Sequence, residues 1–179
     1  MENTQLTKLP TIDQLYKNDS LPVLQKTAIF QALVNQEPKP EWIKKHPQTG
    51  EPYIPIERVE WLLTNIIVRF RVEVKTVQQI ANSVCVTIRL HYFDMINNEW
   101  TYHDGIGGAP LQTDKGAGAI DWDKIKNNAV QIGAPAAESY AVKDAAEKIG
   151  KLFGKDLNRK EVISYDTMKD RFKTALEND

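Results

Sequence analysis

Apolar and polar residues alternate most strictly between positions 68 and 91. In VRFRVEVKT, Val68, Phe70, Val72 and Val74 alternate with Arg69, Arg71, Glu73 and Lys75. In VCVTIRLHY, Val84, Val86, Ile88 and Leu90 alternate with Cys85, Thr87, Arg89 and His91. Successive strand side chains point to opposite faces, so this period of two predicts half-buried strands. A third run, EWTYHDG, follows Asn97 and Asn98, which suit a tight turn. Three strands on short connections predict an antiparallel meander with one apolar face and one polar, partly basic face.

Helical periods flank the meander. In SLPVLQKTAIFQALVNQ (20–36), Leu21, Leu24, Ala28, Ala32 and Leu33 recur at helical spacing behind Ser20, a cap. Over 55–67, Pro55 suits the first helical position, and Ile56, Val59, Leu63, Ile66 and Ile67 form one stripe. Arg58 lies off the centre of that stripe, where its guanidinium can reach solvent or a ligand. A long helix is expected from about Ala136 to Phe153, with Ala137, Tyr140, Ala141, Ala145, Ile149, Leu152 and Phe153 on its apolar side. Lys143, Glu147 and Lys151 step down another side at i, i+4 spacing, and Gly154 is a stop signal. This helix is expected to cover the Val68, Val72, Val86 and Ile88 face of the meander.

The connections read as breakers. EPKPEWIKKHPQTGEP (37–52), with its four prolines, predicts an extended arm or linker. DGIGGAP (104–110) predicts a turn of permissive backbone that ends the third strand, and LQTDKGAGAIDW a flexible crossover. The coda YDTMKDRFKTALEND spaces Met168, Phe172 and Leu176 for a final short helix. The expected fold class is α+β: a β-β-β-α core with a three-stranded antiparallel meander packed on a long helix, flanked by N-terminal helices. Residues 1–52 form the helical segment and Pro-rich arm, 53–160 the core, and 161–179 the C-terminal helix.

Composition narrows the class. The 179 residues are 41% hydrophobic and 26% charged, ordinary values for a soluble globular chain. No apolar run approaches the roughly 20 residues of a membrane span, and MENTQLTKLP lacks a signal-peptide pattern. The single Cys85 suits a reducing cytoplasm and reads as a small buried hydrophobe. A net charge of −1 argues against a wholly basic DNA-coating protein. Two basic islands nevertheless stand out. Arg69, Arg71, Lys75 and Arg89 outweigh Glu73, and Lys143, Lys148, Lys151, Lys155, Arg159 and Lys160 outweigh Asp144, Glu147 and Asp156. Folding can join such islands into one groove, although a solvated face is the plainer reading of either alone.

Catalytic patterns are sparse. The chain has three histidines, His46, His91 and His103, and no CxxC, HExxH or GxSxG. His103 and Asp104 are strand neighbours and would point to opposite faces. DGIGGAP lacks dinucleotide-binding spacing. No catalytic residue, metal or cofactor is expected, and the chain is not expected to be an enzyme.

Several stretches, in order, resemble the ring-forming single-strand annealing proteins related to eukaryotic Rad fifty-two, with the phage and bacterial branch nearest. YIPIERVEWLL (53–63) resembles the family's opening helix. VCVTIRLHY through EWTYHDGIGGA (84–109) resembles its strand–turn–strand and Gly-rich turn. ESYAVKDAAEKIGKLFGKDLNR (138–159) resembles its signature helix, and EWIKKHP (41–47) the phage branch. The resemblance implies ATP-independent annealing in recombination and repair by an oligomeric ring with a positive groove. It implies partners too: single-stranded DNA, further copies of the chain, and a phage exonuclease or host single-strand-binding protein. The location it implies is the nucleoid of a bacterial host's cytoplasm.

Arg58 matches a DNA-backbone ligand of the opening helix, and Lys148 and Lys151 match basic groove positions of the signature helix. Glu147 stands where eukaryotic members carry a lysine, a departure for which Lys143 or Lys155 would compensate. Lys75 transfers as an outer contact, with Lys115 and Lys126 more loosely placed. Arg69, Arg71 and Arg159 complete the candidate DNA-binding set. The competing reading is a non-enzymatic α+β module whose charged sheet binds another protein.

Overall fold

The computed structural model describes residues 11–18, 22–47 and 49–159. In chain order these form helices α1 (Ile12–Lys17) and α2 (Val23–Val34), a small hairpin β1 (Lys44–Lys45) and β2 (Pro52–Tyr53), and helix α3 (Ile56–Leu62). The meander β3 (Phe70–Ile80), β4 (Ser83–Asp94) and β5 (Glu99–Pro110) follows, then helix α4 (Ala129–Glu147). The fold is α+β: an antiparallel sheet of order β3-β4-β5 packs on α4, with N-terminal helices beside it.

The burial alternation read from the sequence holds on β4, where Val84, Val86, Ile88 and Leu90 are all buried. On β5 the matching face is Gly105, Gly107 and Ala109. Opposite them lie Ala137, Ala141 and Ala145, all fully buried. Small residues on both sides bring helix backbone against strand backbone. A Cβ at Gly107 would overlap the Ala137 carbonyl and the Ala141 amide, and one at Gly105 would overlap the Ala141 carbonyl. The glycine-rich stretch is therefore not the turn that ends the third strand. It is the second half of β5, made of glycine because the helix leaves no room for side chains.

Helix α4 also differs from expectation at both ends. It begins at Ala129 rather than Ala136, running through Gly133 and Pro135, and it stops at Glu147. Gly150 is then extended and pressed against the Val34 carbonyl of α2, and Lys151–Phe153 form a 3₁₀ turn. Lys151 thus leaves the register of Lys143 and Glu147. Tyr140 is exposed rather than part of the apolar side.

Strand β3 departs most. It runs on to Ile80, with a bulge at Lys75 that shifts the register between Val74 and Thr76. Val86 and Ile88 lie under α4, but the helix spans β4 and β5 only, so Val72, Val74 and Val77 stay exposed on the same face. Val68, also expected there, is exposed in the link from α3. That link is a wide π turn, Leu63–Ile67, in which the Val68 amide donates to the Leu63 carbonyl at 2.9 Å. Val68 itself takes φ 68°, a strained conformation for a β-branched residue.

The proline-rich arm is more ordered than expected, with a 3₁₀ turn at Pro40–Trp42 and the β1–β2 pairing of Lys44 with Tyr53. The crossover carries a bridge between Thr113 and Ile125. Helix α1, not anticipated, is closed by a capping box in which Thr11 and Gln14 exchange hydrogen bonds. Cys85 lies half-buried on the face away from α4, not in the core. The proposed cap Ser20, Leu21, Lys160 and the 161–179 helix lie outside the described residues.

Gly107→Ala should lower stability by about 3 kcal/mol or prevent folding, since overpacking against rigid backbone has no relief. Gly108→Ala, whose added methyl would meet nothing nearer than 3.9 Å, should cost less than about 1 kcal/mol in the same urea titration.

Candidate nucleic-acid interface

Strand register sorts the sheet's basic residues onto the face away from α4. Arg71 pairs across His91 to Tyr102, and Glu73 across Arg89 to Asp104, all on that outer face. Arg89 grips Asp104 with two bonds, Nε to Oδ1 at 2.6 Å and Nη2 to Oδ2 at 2.9 Å. That fork holds the Asp104 carboxyl below the usual range. His91 lies 2.9 Å from Glu73, and Lys75 donates to Glu73 at 3.1 Å; together, His91 foremost, they lower the Glu73 pKa. Lys75 is therefore already paired. Arg69 and Arg71 make no ion pair among the described residues. Their guanidiniums rest on aromatic rings instead: Arg69 lies 4.4 Å from the Phe93 centroid, and Arg71 lies 5.4 Å from that of Trp100.

The second island collects elsewhere, in two adjoining clefts of about 280 and 330 Å³ along α4. Lys148, Lys155 and Arg159 line one; Lys143 lines the other with Tyr53 and Tyr140; Asp144, Glu147 and Asn158 belong to both. Lys143 sits 4.8 Å from the Tyr53 ring and 4.5 Å from that of Tyr140. Burial lowers its pKa, while Glu147 and Glu57 pull the other way. Lys148 donates to Asp144 at 3.1 Å and to the Asp104 carbonyl, and Asp144 accepts the Ile106 amide at 3.1 Å. These two side chains satisfy backbone groups on the free edge of β5. Arg159 lies 2.8 Å from the buried carboxylate of Asp156.

Glu147 stands at the junction of the clefts. Protein atoms crowd its carboxyl although part of the side chain meets solvent, and Asp144 lies one turn away. Burial first, then Asp144, pushes its pKa up to about 7, against the pull of Lys143 and Lys148. Four cations thus face Glu51, Asp144, Glu147 and Asp156 across the clefts, which are close to charge balance when Glu147 is ionised.

Four expected contacts sit apart. Lys151 is only 7% exposed and pairs with Glu37 at 2.8 Å, so it does not offer its charge to the cleft. Arg58 lines neither cleft; its guanidinium lies 4.9 Å from the Trp42 ring and 5.1 Å from that of Trp61. Lys115 and Lys126 lie exposed on the crossover. His103 and Asp104 do point to opposite faces, His103 being 3.0 Å from the Tyr92 hydroxyl under α4. No cluster of metal-ligating side chains occurs among the described residues, and none of their helices is long and apolar enough to cross a membrane.

Sequence reasoning missed Tyr53 and Tyr140 as cleft walls, and Phe93, Trp100 and Tyr102 as outer-face rings. The last three were within reach: pairing through the Asn97–Asn98 turn aligns Phe93 with Trp100 and His91 with Tyr102. No protein-family model matches the chain, and no curated protein matches it.

Because folding raises the Glu147 pKa, the folded state holds more protons than the unfolded one between the ordinary carboxylate range and about 7. That contribution to stability is complete below the unfolded pKa and fades as pH rises through 7. His103, whose pKa burial lowers, works in the opposite sense over the same window. The Glu147 contribution is therefore read as a difference: the urea midpoint of the parent relative to that of Glu147→Gln should fall from pH 5 to pH 8.

Proposed function

We propose that this chain binds single-stranded DNA without sequence preference and anneals complementary strands without ATP or metal. The observation that carries the reading is the convergence of Lys143 on α4, Lys148 at its end, and Lys155 and Arg159 from the following loop on two adjoining open clefts that share Asp144, Glu147 and Asn158. Phosphates bound by such side chains release counterions, giving affinity for any sequence that falls with salt. Base edges stay free to pair. The resemblance of the opening helix, meander and signature helix to single-strand annealing proteins supports the same reading. It makes recombination and repair in a bacterial cytoplasm, at the nucleoid, the setting, with a phage exonuclease or host single-strand-binding protein as co-workers.

A homo-oligomer, ring-shaped in this reading, is supported by β3. Among the described residues nothing pairs with its outer edge, and Val77 on its bare face is 56% exposed. An open strand edge beside uncovered valines suits a contact with another copy. A second copy at each subunit would multiply the few cations that each groove presents. The same bare face also favours the alternative, a module that binds a different protein without touching DNA.

Two measurements separate them. Mixed-sequence oligonucleotides should bind with a salt slope that drops by about one for each lost phosphate contact in Lys143→Ala or Lys155→Ala. Binding should also tighten from pH 8 to pH 6 as Glu147 loses its charge, and Glu147→Gln should remove that dependence. Salt-insensitive or absent binding contradicts the proposal. Solution mass should exceed the monomer at micromolar concentration; a strict monomer with and without DNA contradicts the assembly.

A further inference from the structure

We propose that the outer face of the sheet is a stacking surface for unpaired nucleobases, centred on Trp100, with Arg69 and Arg71 holding the flanking phosphates. The proposal rests on the single-strand-binding reading and adds a site that the groove along α4 does not include.

Three observations carry it. The first is exposure: Trp100 is 47% and Tyr102 50% exposed on the outer face of β5, the strand whose other face packs on α4. The second is charge. On this face Glu73 is taken up by His91 and Lys75, and Asp104 by Arg89. Arg69 and Arg71 are left with no carboxylate among the described residues, and their guanidiniums lie 5.7 and 5.4 Å from the Trp100 centroid. An anion completes that arrangement. The third is rigidity: Tyr102 is braced by the Arg89 guanidinium 3.9 Å from its centroid, and Phe93 meets Trp100 edge-on with centroids 5.6 Å apart. Rings already fixed lose little freedom when a base settles on them.

Spacing says which nucleic acid fits. Trp100 and Tyr102 are two residues apart on one strand, which separates them by about 7 Å. Bases in a duplex rise only about 3.4 Å per strand and remain stacked on each other. A duplex cannot place neighbouring bases on both rings, whereas an unpaired strand can splay its bases to do so. The face therefore selects unpaired strands and lets go of the annealed product, a discrimination that phosphate contacts alone do not supply.

The test uses the full chain with a fluorescent oligothymidylate, an abasic oligonucleotide of equal length, and a duplex. The parent should bind oligothymidylate more tightly than the other two. Trp100→Leu should weaken oligothymidylate binding roughly tenfold and leave abasic binding unchanged, with Trp100→Phe restoring most of the loss. Arg69→Gln with Arg71→Gln should weaken both single strands. If the parent binds single strands and Lys143→Ala weakens them while Trp100→Leu does not, the groove stands and this site falls. If the parent binds no oligonucleotide, both fall. If Trp100→Leu lowers the solution mass and not the preference for bases, the face is a subunit contact and the proposal is wrong.

Discussion

Helix α4 can lie on β5 only because Gly105 and Gly107 present no side chain to Ala137, Ala141 and Ala145. That backbone-to-backbone approach places everything else. It draws the helix over β4 and β5, so β3 is left with valines that nothing in the described chain covers. It brings Asp144 and Lys148 to the edge of β5, where they satisfy the Ile106 amide and the Asp104 carbonyl. The same placement opens the clefts between α4, the β1–β2 hairpin and the loop after Gly154.

Charge is distributed with more restraint than the basic islands suggest. Along α4 each lysine has an acidic neighbour, and crowding around the Glu147 carboxyl pushes its pKa up to about 7. Under the proposed reading, such a groove would hold phosphate weakly in one copy and gain strength only by repetition in an assembly. On the sheet's outer face the acids are consumed by Arg89, His91 and Lys75, and the uncommitted charge gathers at Arg69 and Arg71 beside Trp100. The fold therefore carries paired charges along α4 and, on the outer face of the sheet, exposed aromatic rings beside two arginines.

Much of this was legible in the sequence. The alternation in VCVTIRLHY names the buried face of β4 residue by residue, because a strand covered on one side must alternate. The meander followed from the Asn97–Asn98 turn, and the long helix from its alanine stripe. What escaped was tertiary. DGIGGAP read as a turn because glycine is usually permissive backbone, and only the facing alanines show that it is there for closeness. Pro135 and Gly133 hid the first turns of α4, and Gly150 ended it early, since the apolar stripe itself continues to Phe153. Lys151 was expected in the groove because it matches a basic position of the signature helix, and the break at Gly150 takes it out of the helical register which that match assumed. Of the candidate contacts, Lys143, Lys148, Lys155 and Arg159 gather along α4; Arg69, Arg71 and Lys75 lie with the sheet; Arg58 sits between tryptophans.

The central claim is that this fold brings complementary single strands together by itself. Its most direct test is the rate at which two complementary labelled oligonucleotides pair with the purified full chain, with nucleotide and divalent metal both left out. The account predicts pairing many times faster than the spontaneous rate, an acceleration lost at high salt. Folded protein that leaves the spontaneous rate unchanged across a range of concentrations would contradict it.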